Sequence, residues 1–408
     1  MLNPYFVTAL FYLLVAVLMA FDSAATSFSI VPWFNGLRWL RVHLITLGAM
    51  SEALFGLLPL LVALRYKLPR PAFRPWTWLS FNAGLLLLLV GIPIINQAVI
   101  FAGGTLIFAA TLLLIWQLRE MRAQAPATAA AVKAAGDGRL FYLAGLGYLL
   151  LGIIVGTGLW LGWSEWLQIK TPIEVHIHAN NWGFLSLVFA GLLIDIYPAV
   201  TGRSLGTPTS RRAIFWGMTV GALGLILGPW LQSNYFAVPG LILHLAATFW
   251  LLGSVIRPLL GQPAVWRTPG IWHLLTAYIW ILVPVMMAPL IILGVPGFPG
   301  AGIEQNAPQA LIYGWVLQFG YALLPYFFSR IFLPGQPARL GGHWLSLAAV
   351  NLGGLALWAS IFNDNYQLFL HGLAYGLWAL SMWPVAFDLW RTIRSALARL
   401  EQVTAATI

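Results

Sequence analysis

The sequence predicts an all-α, polytopic membrane protein. It is read as one transmembrane domain of twelve helices, repeated in units of approximately 1–135, 136–268 and 269–408. Three observations predict this. First, the 408 residues are 60% hydrophobic and only 8% charged, with a mean hydropathy of +0.85, whereas soluble domains carry about 25% charged residues. Second, apolar stretches long enough to span a bilayer core, roughly 20 residues each, recur along the whole chain. Third, a long-period internal repeat links these stretches.

Segmentation by length gives spans near 5–28, 39–64, 76–95, 98–117, 140–163, 176–199, 213–231, 236–256, 271–294, 307–328, 343–362 and 366–388. Met1–Leu10 has no basic leader, so the first span is expected to be an uncleaved helix. Arg119–Arg139, with its alanine-rich stretch, is expected to be a flexible loop, and the Gly/Pro-rich Val295–Gly302 a turn. Orientation follows from the bases. Eighteen Lys and Arg residues follow even-numbered spans, from Arg65 to Arg399 and including Lys133, whereas Arg38, Arg41 and Lys170 follow odd-numbered ones. The positive-inside rule then puts both termini in the cytoplasm of an inner (plasma) membrane protein. The net charge of +10 is therefore a topology signal, and no nucleic-acid partner is expected.

The repeat is clearest in the second span of each unit. His43-Leu-Ile-Thr-Leu-Gly48, His178-Ala-Asn-Asn-Trp-Gly183 and Gln309-Ala-Leu-Ile-Tyr-Gly314 each place a polar ring or amide five residues before a glycine. Small residues follow at Gly56, Gly191 and Ala322, and such residues let membrane helices approach closely. The preceding spans align on Phe11-Tyr12, Phe141-Tyr142 and His273 to Tyr278. Short turns recur at Ile95-Asn96-Gln97, Ser233-Asn234-Tyr235 and Asp364-Asn365-Tyr366.

Absence of cysteine removes disulfides, thiolate nucleophiles and sulfur-ligated metals, leaving histidine and carboxylate for metal chemistry. In the predicted topology His43, His176, His178, His244 and His371 fall in one layer near the outer face, while His273 and His343 begin spans at the cytoplasmic headgroups. Neutral imidazole ligates haem iron, copper or zinc, and without sulfur haem or copper is favoured over structural zinc. The alternative is that each ring hydrogen-bonds a neighbouring helix. Positions i and i+2 of a helix point about 200° apart. If both are helical, His176 and His178 therefore serve two different neighbours. Glu52, near mid-span, costs about 2.5–3.5 kcal/mol as a charge and is read as either a proton relay or a buried hydrogen-bonding acid. Asp22 and Asp195, near span ends, are expected to be solvated.

On these residues the chain resembles a divergent member of the haem-copper oxidase subunit I superfamily, with three pseudo-repeated four-helix arcs and His43 at the low-spin haem position. His176 to Gly191, with Tyr197-Pro198 and Thr201-Gly202-Arg203, also resembles the HxH…G…P…TGR segment of NnrS-type haem- and copper-containing membrane proteins. The resemblance implies a b-type haem, with copper as a further option, in respiratory electron transfer or binding of nitric oxide or another diatomic gas. Ligation by both His43 and His178 implies a low-spin electron carrier; a single ligand implies an open position for gas. Arg38 and Arg41 would pair with haem propionates or with lipid phosphate. Membrane lipid and a redox partner subunit or cytochrome are the implied partners. The chain departs from the superfamily at the tenth span, which offers Gln309 and no histidine, and at the seventh, which lacks the adjacent histidine pair. A standard oxygen-reducing centre is accordingly not expected. Two other functions fit twelve repeated spans. One is a secondary transporter or channel with Asn180, Asn181, Glu52 and Gln309 lining a path; the other is a non-catalytic scaffold subunit of a respiratory complex.

Overall fold

A computed structural model describes residues 3–30, 37–125 and 138–407; the side chains of Leu37, Arg38, Ile292 and residues 403–407 are not among those described. All regular structure in the described residues is helical. The principal helices are α1 (Pro4–Ser27), α2 (Trp39–Tyr66), α3 (Pro75–Gly91), α4 (Gln97–Ala123), α5 (Arg139–Leu161) and α6 (Pro172–Thr201). They continue as α7 (Pro208–Leu231), α8 (Asn234–Ile256), α9 (Pro269–Ile292), α10 (Gly300–Phe332), α11 (Trp344–Ile361) and α12 (Gln367–Thr407). Eleven are long and apolar enough to cross a membrane; α3, at 17 residues, occupies the third expected span. Large apolar side chains such as Leu18, Trp76, Trp116 and Phe249 are exposed. That is unfavourable in water and suited to lipid, so the chain is a multi-pass membrane protein.

Two compact units can be distinguished, residues 1–54 with 263–408, and residues 55–262. In the first, α1 packs on α12 and on the N-terminal half of α2, and α10 contacts α9 and α12. In the second, α5 packs between α4 and α6, and α6 also meets α7. The expected short turns all join helix pairs: α3 to α4, α7 to α8 and α11 to α12. Glycine brings the members of each pair into close contact. An added Cβ would lie 2.7 Å from Gly103 O at Gly84, 2.6 Å from His244 N at Gly221 and 2.7 Å from the Trp378 ring at Gly353.

Three helices widen into π-helical segments: Leu44–Ser51 in α2, Ala179–Leu185 in α6 and Leu311–Leu317 in α10. These are the three repeat windows read from the sequence. His43 and His178 are the residues immediately before the first two segments, and Gln309 lies two residues before the third. Within each segment the glycine receives an aromatic side chain from the preceding helix. A Cβ on Gly48 would be 2.8 Å from Tyr12 Cβ, on Gly183 2.5 Å from Tyr148 Cβ and on Gly314 2.7 Å from Trp280 Cβ, distances that real Cβ atoms do not tolerate. This corrects the register expected for the first helix of each unit. Tyr12 is matched by Tyr148 and Trp280, not by Tyr142 and Tyr278, because apolar helices without polar markers slide past one another in a sequence comparison.

Other differences concern helix ends. The α10 helix begins at Gly300 although its first turns are polar, because Asn306 Nδ2 turns back to Gly302 O at 2.9 Å. The α12 helix runs on through the basic tail because Leu389, Ile393 and Ala396 keep one face buried. Helix α4 extends to Ala123, and residues 126–137, the core of the expected flexible loop including Lys133, lie outside the described residues.

Replacing Gly314 by Ala is expected to destabilise the detergent-solubilised protein by about 1–3 kcal/mol through overpacking on Trp280. Gly147→Ala, whose Cβ would meet nothing within 4 Å, should be neutral or slightly stabilising. Thermal unfolding of the two variants measures the contrast.

Candidate functional site

Helix α6 starts at Pro172, so His176 and His178 are both helical and face different neighbours. His176 Nδ1 donates to Gly152 O of α5 at 2.8 Å, its ring in space left by Gly156, while Asn180, in space left by Gly152, donates through Nδ2 to His176 O at 2.8 Å. His178 Nδ1 donates to Leu225 O of α7 at 2.6 Å. The reason lies four residues along α7: Pro229 has no N–H for Leu225 O, and the imidazole supplies the missing donor. The turn before α6 also serves the end of α7, with Lys170 N on Trp230 O and Thr171 N on Pro229 O.

His43 follows the same rule locally. Its Nδ1 donates to Trp39 O at 2.9 Å, and its ring stacks on Trp39 with centroids 4.2 Å apart. In His43, His176 and His178 alike a carbonyl fixes the proton on Nδ1, and in the neutral ring the lone pair then belongs to Nε2. Metal-ligating histidines show this arrangement, in which one nitrogen is anchored and the other presented. A ring so anchored can ligate a metal only through Nε2.

The remaining candidates divide. His244 is buried, with Nε2 3.3 Å from Trp182 O and 3.4 Å from Ser186 Oγ, and Nδ1 3.4 Å from Thr248 Oγ1. A carbonyl accepts only, so its Nε2 faces a partner that needs a proton, an arrangement that ties helices and does not present a ligand. Arg41 is also buried, with its guanidinium 4.3 Å above the Tyr375 ring; His371 approaches that ring edge-on, at 6.5 Å. Tyr375 in turn abuts Trp378, which stacks on Tyr313 at 4.2 Å. Arg38 has no described side chain. Glu52 is buried in α2, and its Oε1 accepts from Thr8 Oγ1 of α1 at 2.5 Å.

His43, Arg41, His371 and Glu52 thus belong to the first unit, and His176, His178 and His244 to the second. Among the described residues no three His, Asp or Glu side chains converge as a metal site.

Two expectations are corrected. His273, expected as an exposed polar residue among the headgroups, is enclosed by the protein. It is fully buried, with Nε2 3.3 Å from His343 O and its ring against Tyr321, because Gly342, at φ 93°, lets the chain fold over it. His343 is half-buried and pairs with Asp388 at 2.7 Å. Asp195 is held and not merely solvated, by Tyr142 Oη at 2.8 Å, Gly138 N at 3.3 Å and Arg65 at 3.6 Å. Sequence reasoning missed the tie between His178 and α7, although Pro229 inside an apolar span was its visible signal.

Because His178 replaces the N–H that Pro229 lacks, His178→Phe is expected to cost about 0.6–1.7 kcal/mol. In a Pro229→Ala background, where a backbone donor returns, most of that cost should vanish. A double-mutant cycle by denaturant unfolding in detergent tests this, and strictly additive losses would refute the assignment.

Compared with known protein families and with curated proteins, the chain matches none.

Proposed function

We propose that the protein is a haem-binding integral membrane protein of the haem-copper oxidase type, working in respiratory electron transfer or in binding a diatomic gas such as nitric oxide. The observation that carries this reading is the pairing of His43 and His178 with equivalent π-segments. Each ring stands immediately before the widened turn, each anchored through Nδ1 to a backbone carbonyl. π-segments inside α-helices are frequent at functional sites. A b-type haem ligated by such a ring supplies one-electron redox chemistry or a coordination position for gas. The protein's own part is to hold each imidazole in one tautomer and one orientation.

The finer architecture goes with this reading. The three π-segments, the three glycine–aromatic contacts and the three tight hairpins support twelve spans in three four-helix arcs. The distribution of Lys and Arg supports cytoplasmic termini. His176, wedged against Gly152 and Gly156, is read as the helix-packing member of the HxH pair. Helices α2, α6 and α10 widen without breaking, unlike the interrupted helices typical of transporter sites.

The test is a pyridine haemochrome assay and a reduced visible spectrum on protein purified from haem-replete cells. The expected result is a b-type spectrum, with most bound haem lost in His43→Ala or His178→Ala and none lost in His343→Ala. A fully folded protein without a Soret band ends the proposal.

A further inference from the structure

The last turns of α12 carry a face whose chemistry changes along its length. Trp383, Phe387, Trp390, Arg394 and Leu397 follow one another at spacings of four, three, four and three residues, so at 100° per residue they fall within an arc of about 80°. All five are exposed, whereas Leu389, Ile393 and Ala396 on the far side of the helix are buried. Up to Trp390 the outward face continues the exposed apolar surface of Leu373 and Leu380 earlier in the same helix. Hydrocarbon is the solvent that suits such a surface.

Beyond Trp390 the face turns cationic. Arg391 comes next, its guanidinium 5.7 Å from the centroid of the Phe387 ring, a cation–π contact that lays the side chain back along the apolar stripe. Arg394 stands about 6 Å further along the axis than Trp390, comparable with a headgroup layer of about 5–8 Å. Tryptophan collects at the boundary between hydrocarbon and headgroups, and with Trp390 there the two guanidinium groups come to the level of lipid phosphate. Neither forms an ion pair among the described residues. The acid nearest in sequence, Asp388, is engaged by His343 at 2.7 Å, and Glu401 lies seven residues past Arg394.

We propose that this end of α12 is a binding surface for an anionic phospholipid, whose acyl chains lie along Trp383, Phe387 and Trp390 and whose phosphate is bracketed by Arg391 and Arg394. Guanidinium groups donate in pairs to phosphate oxygens, and a phosphate at this level is met without leaving its own leaflet. A zwitterionic lipid offers the same phosphate but carries a cation beside it, so two arginines on one face favour a headgroup of net negative charge. The inference stands independently of haem.

The experiment uses the full-length protein purified in detergent and native mass spectrometry with phosphatidylglycerol and phosphatidylcholine of matched acyl chains. The first phosphatidylglycerol is expected to bind more tightly than the first phosphatidylcholine. Its affinity should fall about fivefold in Arg391→Gln or Arg394→Gln, and further in the double variant. Both side chains are exposed, so these variants should unfold at the wild-type temperature. Replacing both arginines by lysine should retain most of the preference, and Arg74→Gln, which removes the partner of Glu120, should retain all of it. Inorganic phosphate should not displace the lipid, because it makes no contact with the aromatic stripe. The proposal is overturned if the two lipids bind alike, if the glutamine variants bind phosphatidylglycerol as wild type does, or if inorganic phosphate competes. A dimer in phosphatidylglycerol nanodiscs that Trp383→Ala dissociates would also overturn it, giving the face to a second copy of the chain.

Discussion

In a hydrocarbon environment every backbone carbonyl needs a donor from within the protein, and this constraint organises the positions of interest. An α-helix meets it automatically until a proline or a widened turn interrupts the ladder. Pro229 interrupts α7, and His178 answers from α6. The end of α7 is met by backbone N–H groups of Lys170 and Thr171. The α2 segment widens, and Ser51 Oγ reaches back to Thr46 O at 2.7 Å. Around Pro229 a side chain and a turn fill backbone vacancies, and that fixing gives the His178 ring a defined direction.

The repeated units show which parts of the arrangement are scaffold and which are chemistry. The glycine that accepts an aromatic ring recurs at Gly48, Gly183 and Gly314, because only a residue without Cβ lets the ring rest on the backbone. The flanking polar positions change freely: histidine, histidine and glutamine before the segment, glutamate, leucine and glutamine after it. The third unit, without histidine there, invests instead in an amide network in which Trp280 Nε1 donates to Asn351 Oδ1 at 2.8 Å and Asn351 meets Gln318. One packing solution therefore carries three different polar fillings.

Much of this was legible in the sequence, for identifiable reasons. Hydropathy and length place the twelve helices, since lipid as solvent leaves few alternatives. The windows around Gly48, Gly183 and Gly314 stand out because a polar residue and a glycine mark them. The divergence of His176 and His178 follows from helical periodicity alone. What escaped was tertiary. The first-helix register slipped because Tyr12, Tyr142 and Tyr148 look alike without a partner to choose among them. The burial of His273 escaped because nothing local announces that Gly342 folds over it. The polar start of α10 and the basic end of α12 escaped because hydropathy reports the bilayer and says nothing of where a helix stops.

That last helix has a mechanical consequence. Its 41 residues extend roughly 60 Å at about 1.5 Å per residue, against a hydrocarbon core of about 30 Å. Even strongly tilted, roughly a third of this rod exceeds the hydrocarbon thickness, and it bears Arg391, Arg394 and Arg399. Tyr375, which carries Arg41, sits on the same rod before Pro384. Proline deprives that turn of one rung and lowers its resistance to bending, so the rod has a built-in elbow between its aromatic cluster and its arginine-rich arm.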